Sequence, residues 1–245
     1  MTPADDAIPA HPAAPPGAAA SPQTDNHGVV GNERLTALAG AVLLVLLAVE
    51  LVTSIRLRTL LSAHVVVGMV LAGPLAVKLG STGYRFVRYY TRAPAYVRRG
   101  PPHPALRLLG PLLVATTLVV VGSGIGLMVT GPDHAGLLLP VHGFSVLVFL
   151  PLIAIHFVAH LLATPRLVVD EWSPVSAAQA PGRGIRMGVN LGALVLGVLG
   201  AVVLLPTITP WIAWSQTNGQ VPAPLIVGML LAIAVLLATR PLRWR

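Results

Sequence analysis

The sequence contains no cysteine. Iron–sulfur clusters held by thiolates, covalently attached c-type haem and disulfide bonds are therefore excluded. Charge is also scarce, because only 10% of the 245 residues are charged and only eight are acidic. With 55% hydrophobic residues and a mean hydropathy of +0.79, the chain is too apolar for a soluble domain of this length.

Six segments are long and apolar enough to cross a bilayer, which takes about 20 helical residues. They lie near residues 35–54, 60–81, 108–130, 136–163, 187–206 and 223–239. Every backbone polar group within hydrocarbon must find a hydrogen-bond partner, so a span is either a helix or part of a closed barrel. The sequence lacks the alternating pattern of barrel strands, and we therefore expect helices. The predicted fold is all-α: a polytopic membrane protein with six transmembrane helices, arranged as a four-helix bundle plus a C-terminal helix pair.

The predicted organisation has four parts. Residues 1–32 form an Ala- and Pro-rich cytoplasmic tail that we expect to be disordered. Residues 33–163 form the four-helix membrane bundle, and residues 164–186 form a cytoplasmic linker. Residues 187–245 form a two-helix membrane segment with a basic C-terminus.

The basic residues sort to one side of the six predicted spans. The other side holds only Arg56 and Arg58, and Lys78 lies within a span. The thirteen sorted residues are Arg34, Arg85, Arg88, Arg92, Arg98, Arg99, Arg107, Arg166, Arg183, Arg186, Arg240, Arg243 and Arg245. The positive-inside rule therefore predicts that both termini are cytoplasmic.

The net charge of +8 is explained by this topology and by contact with anionic lipid, so we expect no nucleic-acid partner. High Ala, Gly, Pro and Arg content with a single Lys indicates a GC-rich bacterial genome. The predicted location is the bacterial cytoplasmic membrane.

Two of the predicted spans carry nitrogen bases at the same spacing. HVVVGMVLAGPLAVK runs from His64 to Lys78, and HGFSVLVFLPLIAIH runs from His142 to His156. Fourteen residues of helix make about 40° less than four full turns. The two bases of each pair therefore share a face and lie about 21 Å apart along the axis. Because the two helices run in the same direction, His64 and His142 lie at similar depth near the outer surface. Lys78 and His156 form a second level toward the cytoplasm.

This arrangement favours a metal cofactor at the outer level. An ionisable residue inside a span indicates function, and neutral imidazole is the commonest side-chain metal ligand. Two imidazoles at one depth on facing helices can clamp a flat ring between them. Bis-histidine haem is the chemistry that this geometry suits.

The residues around the outer pair agree with a bound ring. Small residues at that depth open space against a helix. They are Gly68, one turn below His64, and Gly122, Gly124 and Gly126 of the third span. Arg56 and Arg58 precede His64 by two turns, near the outer surface, where we expect them to neutralise haem propionates.

The pattern resembles the membrane cytochrome b superfamily, whose members hold b-type haems between histidines of a helix bundle. They serve respiratory dehydrogenases, hydrogenases and quinol-oxidising complexes. HVVVG and VHGFSVLVFLPLIAIH carry the resemblance, which covers about residues 35–163 and not the last two predicted helices. In di-haem members, two like-directed helices each carry histidines at this spacing, in stacked pairs. The resemblance implies that His64 and His142 hold the iron of an outer haem.

The inner level departs from that pattern, because Lys78 stands where a second histidine would lie opposite His156. In one alternative there is no inner haem, Lys78 extends to the cytoplasmic headgroups and His156 is a hydrogen-bonded core histidine. In another, His156 holds the iron of an inner haem with Lys78 as a deprotonated amine ligand. In the third, His160, one turn beyond His156, replaces one of these ligands. We expect one haem b, with two as the alternative.

The predicted function is electron transfer, by a subunit rather than a self-contained enzyme. The subunit would connect a quinol pool or a redox partner with another subunit. No GxGxxG motif follows a strand, and the cytoplasmic loops are too short for a flavin or nicotinamide domain. Glu50 lies within the first span, and we expect it to pair with Arg56 or Arg58. The alternative is a haem-free membrane scaffold or small transporter whose histidines serve packing or proton-linked gating.

Overall fold

The computed structural model describes residues 22–100, 104–161, 163–177, 180–218 and 222–239. Over these residues the chain is helical and contains no β-strand. The α-helices are α1 (Pro22–Ile55), α2 (Leu57–Tyr90), α3 (Pro94–Arg99), α4 (Pro104–Thr130), α5 (Leu138–His160), α6 (Ala163–Trp172), α7 (Pro174–Ala177), α8 (Arg183–Leu204), α9 (Ile208–Asn218) and α10 (Ala223–Ala238). Two 3-10 turns, Pro132–His134 and Leu205–Thr207, precede α5 and α9.

Several of these helices suit a membrane, which confirms the all-α prediction and the multi-pass character of the chain. In the described part, five segments are long and apolar enough to cross a bilayer: His27–Ile55, Leu57–Tyr90, Leu106–Thr130, Leu138–His160 and Arg183–Asn218. The sixth predicted span coincides with α10, which has 16 residues. A helix of that length is about 24 Å long, shorter than a hydrocarbon core of about 30 Å. Six crossings therefore remain a prediction.

The helices pack as two groups with a gap between them. In the first group α2 lies between α1 and α8, and in the second α5 lies between α4 and α10. The groups meet through a narrower contact of α2 with α4, and through α9, which touches α2 and the Pro132–His134 turn. The C-terminal helices predicted as a pair thus belong to different groups, because α8 packs on α2 and α10 on α5. Helix α10 is uniformly apolar and carries no polar face that would fix its partner from sequence.

Glycines let α2 and α8 approach closely. A methyl group on Gly73 of α2 would overlap the backbone carbonyl of Ala193 in α8. A methyl group on Gly197 of α8 would lie 2.6 Å from the Val70 carbonyl oxygen of α2. Small residues at such crossings are how membrane helices gain van der Waals contact, since lipid offers no hydrophobic driving force between them. This contact fixes the helix that carries His64.

A buried ion cluster joins α1, α6 and α8 at the opposite end of the bundle from Arg56. Glu171 of α6 accepts two hydrogen bonds from Arg186 of α8, at 2.8 Å from Nε and 3.0 Å from Nη2. Arg34 of α1 places Nη1 3.5 Å from the same carboxylate, and all three side chains are buried. Arg186 also donates to the carbonyls of Ala180 and Pro181.

This cluster changes the interpretation of two predicted segments. Part of the predicted linker, 164–186, is packed: Ala163–Trp172 is helical throughout, and Glu171 ties this helix to the bundle through Arg34 and Arg186. The predicted tail, 1–32, is helical from residue 22 onward, where α1 begins. Residues 1–21 lie outside the described residues.

Candidate functional site

A large cavity lies between the two helix groups. Its volume is about 1290 Å³, and its wall is mostly apolar. Ligand pockets of proteins commonly measure about 300–1,000 Å³, so this cavity exceeds what one small ligand needs. The four span histidines line it, His64, His142, His156 and His160, together with Lys78 and Glu50. The nitrogen bases that the sequence singles out therefore meet at one cavity.

The outer pair of histidines lies across the gap between the groups. The imidazole centroids of His64 and His142 are 6.3 Å apart, and the ring planes are inclined by 83°. Two imidazoles that bind one metal at about 2 Å each have centroids about 6 Å apart, because each centroid lies about 1 Å behind its nitrogen. The separation is thus compatible with a metal held between the two rings on opposite sides.

Local structure sets the position of each ring. Only Arg56 separates α1 from α2, so the two helices fold back on one another and bring Glu50 opposite His64. On α5, Pro140 lies in the first turn, where its missing N–H leaves no intrahelical bond unmade. His142 follows two residues later and turns toward α4.

His64 has a carboxylate partner. Its Nδ1 lies 2.9 Å from Glu50 Oε1 and 3.2 Å from Ser54 Oγ. A carboxylate only accepts hydrogen bonds, so the Nδ1–H of His64 donates to Glu50. Ser54 Oγ in turn donates to the Glu50 backbone carbonyl at 2.8 Å. The expected pairing of Glu50 with Arg56 or Arg58 is wrong, because the carboxylate faces His64 instead.

His142 has uncharged partners. Its Nδ1 donates to the Val120 backbone carbonyl of α4 at 3.0 Å and lies 3.1 Å from Ser123 Oγ. The acceptors at Nδ1 place the proton there in both histidines. Neither Nε2 has a hydrogen-bond partner among the residues that the structure describes, so both Nε2 lone pairs are available to a metal.

The four predicted glycines have different surroundings. A methyl group on Gly68 would lie 3.3 Å from Glu50 Oε1, and one on Gly124 would lie 3.3 Å from His142 Cε1. These two line the cavity and make room for the partners of the outer site. Gly126 instead packs against Leu138, and Gly122 has open space beside it.

The two outer arginines lie apart from the cavity. Arg56 and Arg58 are exposed, and neither belongs to its wall. The Arg58 backbone carbonyl accepts a hydrogen bond from Gln216 of α9 at 3.4 Å. Neutralisation of propionates by these arginines remains a prediction.

The inner level holds bases without a carboxylate. Lys78 Nζ donates to the Thr36 carbonyl of α1 at 3.1 Å, so it does not extend to the headgroups as one alternative expected. Gly40 makes room for it, because a methyl group there would lie 2.8 Å from Nζ. The rings of His156 and His160 touch, with centroids 4.5 Å apart, and neither has a hydrogen bond within the described residues. A hydrogen-bonded core role for His156 therefore finds no partner among the described residues and stays a prediction, as does ligation by His160.

Two features of the site are missing from the sequence analysis. The first is the set of partners of the Nδ1 atoms. Glu50 and Ser54 of α1 contact His64 of α2, and Ser123 of α4 contacts His142 of α5. Trp211 of α9 closes the outer end: it is 4% exposed, and its Nε1 donates to the Leu127 carbonyl of α4 at 3.2 Å. The only available signal is a carboxylate or hydroxyl at the depth of the histidines.

No protein-family model, curated protein or solved structure matches this chain.

Proposed function

We propose that the chain is an integral membrane b-type cytochrome, with one haem b bound through iron to His64 and His142. It transfers electrons between a quinol pool or redox partner and another subunit. The observation that carries this proposal is the outer imidazole pair, with centroids 6.3 Å apart, both Nδ1 atoms engaged and both Nε2 atoms available at an apolar cavity.

The donor set fits haem better than a free metal ion. Among the described residues, no group of three or more His, Asp or Glu side chains meets to hold a metal. A site with only two protein ligands suits a metal that brings its own equatorial ligands, and a porphyrin supplies four nitrogens. The mostly apolar wall also suits the faces and edges of such a ring.

The chain's own residues set the properties of the site. Haem supplies one-electron chemistry when it is bound. Glu50 orients the His64 ring and adds negative charge beside it, while the Val120 carbonyl and Ser123 orient His142 without charge. Such outer hydrogen-bond partners fix the tautomer and raise the basicity of the ligand. Trp211 covers the outer end of the cavity and limits the access of water.

We propose that a quinone binds in the inner part of the cavity. Lys78, His156 and His160 line it and can donate hydrogen bonds to a quinone carbonyl. A second haem there would use His156 with Lys78, or His160 in place of one of them. We expect a stoichiometry of one haem per chain.

Absorption spectroscopy of the purified wild-type protein tests the proposal. A haem cytochrome gives a sharp Soret band and split α and β bands after reduction with dithionite. Haem and protein quantification should give a ratio of one. A colourless, folded preparation that also takes up no added haem contradicts the proposal and favours the haem-free scaffold or transporter.

The Glu50→Gln substitution should weaken haem binding at the outer site and raise the midpoint potential of the haem. Loss of a hydrogen-bonded partner of a metal ligand reduces metal affinity about 10–100-fold. Removing the carboxylate also removes negative charge that stabilises ferric iron, so the midpoint potential should rise. A tenfold change in relative stability corresponds to about 59 mV for a one-electron couple. Redox titration of Glu50→Gln protein measures the shift.

Ser123→Ala is the matched control, because His142 keeps its hydrogen bond to the Val120 carbonyl and no charge is lost. Its potential should stay near the wild-type value. Equal potentials in wild-type and Glu50→Gln proteins would show that Glu50 does not act on the iron.

A further inference from the structure

A basic and aromatic segment follows the membrane-spanning part of α2. Residues 84–99 contain five arginines and no acidic residue. Helix α2 has 34 residues and is therefore about 51 Å long, compared with a hydrocarbon core of about 30 Å. Its last turns must extend beyond the core, where the headgroups lie.

A groove opens where α2 meets α3. Its volume is about 610 Å³, and it is lined by Tyr89, Tyr90, Arg92, Pro94, Val97 and Arg98. Two guanidinium groups and two phenol rings thus border one concave site. A guanidinium presents planar, paired N–H donors that match phosphate oxygens, and a phenol hydroxyl adds a further donor.

The turn that forms the groove is fixed by packing and is locally strained. Arg92 has a φ of 59°, and it is the one non-glycine residue with positive φ in the described part of the chain. This conformation is disfavoured for a side chain with a Cβ and is enriched at ligand-binding positions. Beneath it Tyr96 is buried, its ring lies edge-on to Tyr84 at 5.9 Å, and burial raises the pKa of its hydroxyl.

Apolar side chains lead from the membrane side to the groove. Phe86 and Tyr90 are 60% and 61% exposed, and their rings touch at a tilt of 45° with centroids 4.4 Å apart. Val87 beside them is 55% exposed. In water such a surface is unfavourable, whereas acyl chains at the edge of the hydrocarbon core would cover it.

We propose that this groove binds one phospholipid with an anionic headgroup. The phosphate lies between Arg92 and Arg98, the phenols of Tyr89 and Tyr90 border it, and the acyl chains run along Phe86 and Val87. The positive charge distinguishes an anionic lipid from a zwitterionic one, and the adjoining apolar strip distinguishes a lipid from free phosphate. This site does not depend on haem at the cavity.

Native mass spectrometry of the full-length protein, titrated with phosphatidylglycerol and with phosphatidylcholine, tests the proposal. The wild type should bind one phosphatidylglycerol in preference to phosphatidylcholine. Arg92→Gln/Arg98→Gln should lower the affinity for phosphatidylglycerol by about tenfold or more, since each basic residue at a membrane surface contributes several-fold. The matched control is Arg56→Gln/Arg58→Gln, which removes the same charge at the other end of α2 and should leave the affinity unchanged.

Four results would overturn the proposal. Three are equal binding of the two lipids by the wild type, equal losses in the two double variants, and retention of phosphatidylglycerol by Arg92→Gln/Arg98→Gln. The fourth is displacement of the lipid by excess inorganic phosphate, which would assign the groove to a free anion. If the double variant fails to elute as a folded species, Arg92→Lys replaces it. That variant keeps the charge but loses the paired donors, and it should bind more weakly than the wild type.

Discussion

The His142→Ala protein is expected to purify without haem. If His64 and His142 hold the haem as proposed, the substitution removes one of the two imidazoles, and no other described histidine or lysine lines the cavity at the depth of His64. The Soret band should fall to the baseline or shift to the spectrum of a weakly held five-coordinate haem. Absorption spectra and haem-to-protein ratios measure the effect. Because the small side chain leaves a void the size of the ring, added imidazole should restore the six-coordinate spectrum.

His134→Ala is the matched control for this prediction. His134 is exposed in the 3-10 turn between α4 and α5, so the same chemical change is made close in sequence but away from the cavity. It should keep full haem content. His156→Ala should also keep the outer haem. A His142→Ala protein with an unchanged spectrum and one haem per chain would refute the assignment of the outer site.

The Glu171→Gln protein is expected to lose much of its stability. Glu171 is 1% exposed, and it is the carboxylate that both Arg34 and Arg186 contact in the described part of the chain. Glutamine leaves two buried guanidinium groups without a compensating negative charge. Removing one partner of a buried ion pair commonly costs about 3–5 kcal/mol. Thermal or denaturant unfolding in detergent, followed by circular dichroism, measures the loss.

Glu33→Gln is the matched control, because Glu33 also accepts two hydrogen bonds from an arginine, at 3.0 Å each from Arg99. Arg99 is largely exposed, so solvent screens this pair. Its loss should cost only about 0–1 kcal/mol. Equal destabilisation by the two substitutions would show that the buried cluster does not hold α6 to the bundle.

The helical periodicity of the sequence accounts for the meeting of His64 and His142. Each lies near the N-terminal end of a long apolar segment, and the one intervening span makes the two segments run in the same direction. Depth and direction follow from counting residues, because helix rise per residue is constant. The same counting places Lys78 and His156 at a common inner level, and both line the cavity.

The partners of these histidines depend on helix rotation, which apolar spans leave undetermined. Glu50 and Arg56 are six residues apart, about 240° around a helix, so they do not share a face. The one-residue connection at Arg56 folds α2 back and brings His64 opposite Glu50. That pairing is a tertiary contact between two helices.

The separation of α8 from α10 has a similar cause. Backbone approach at Gly73 and Gly197 directs α8 to α2, whereas Gly228 of α10 lies against Leu147 of α5. Glycines in apolar helices are frequent, and their partner helix is decided by shape in three dimensions. Burial of Glu171 likewise depends on Arg34 and Arg186, which belong to two other helices.

An experimental density map of the purified full-length protein at the outer histidine pair tests the central claim most directly. The account predicts a planar ring between α2 and α5, with its iron about 2 Å from the Nε2 of both His64 and His142. A map that shows the two imidazoles in direct contact, or a lipid chain between them, would contradict it.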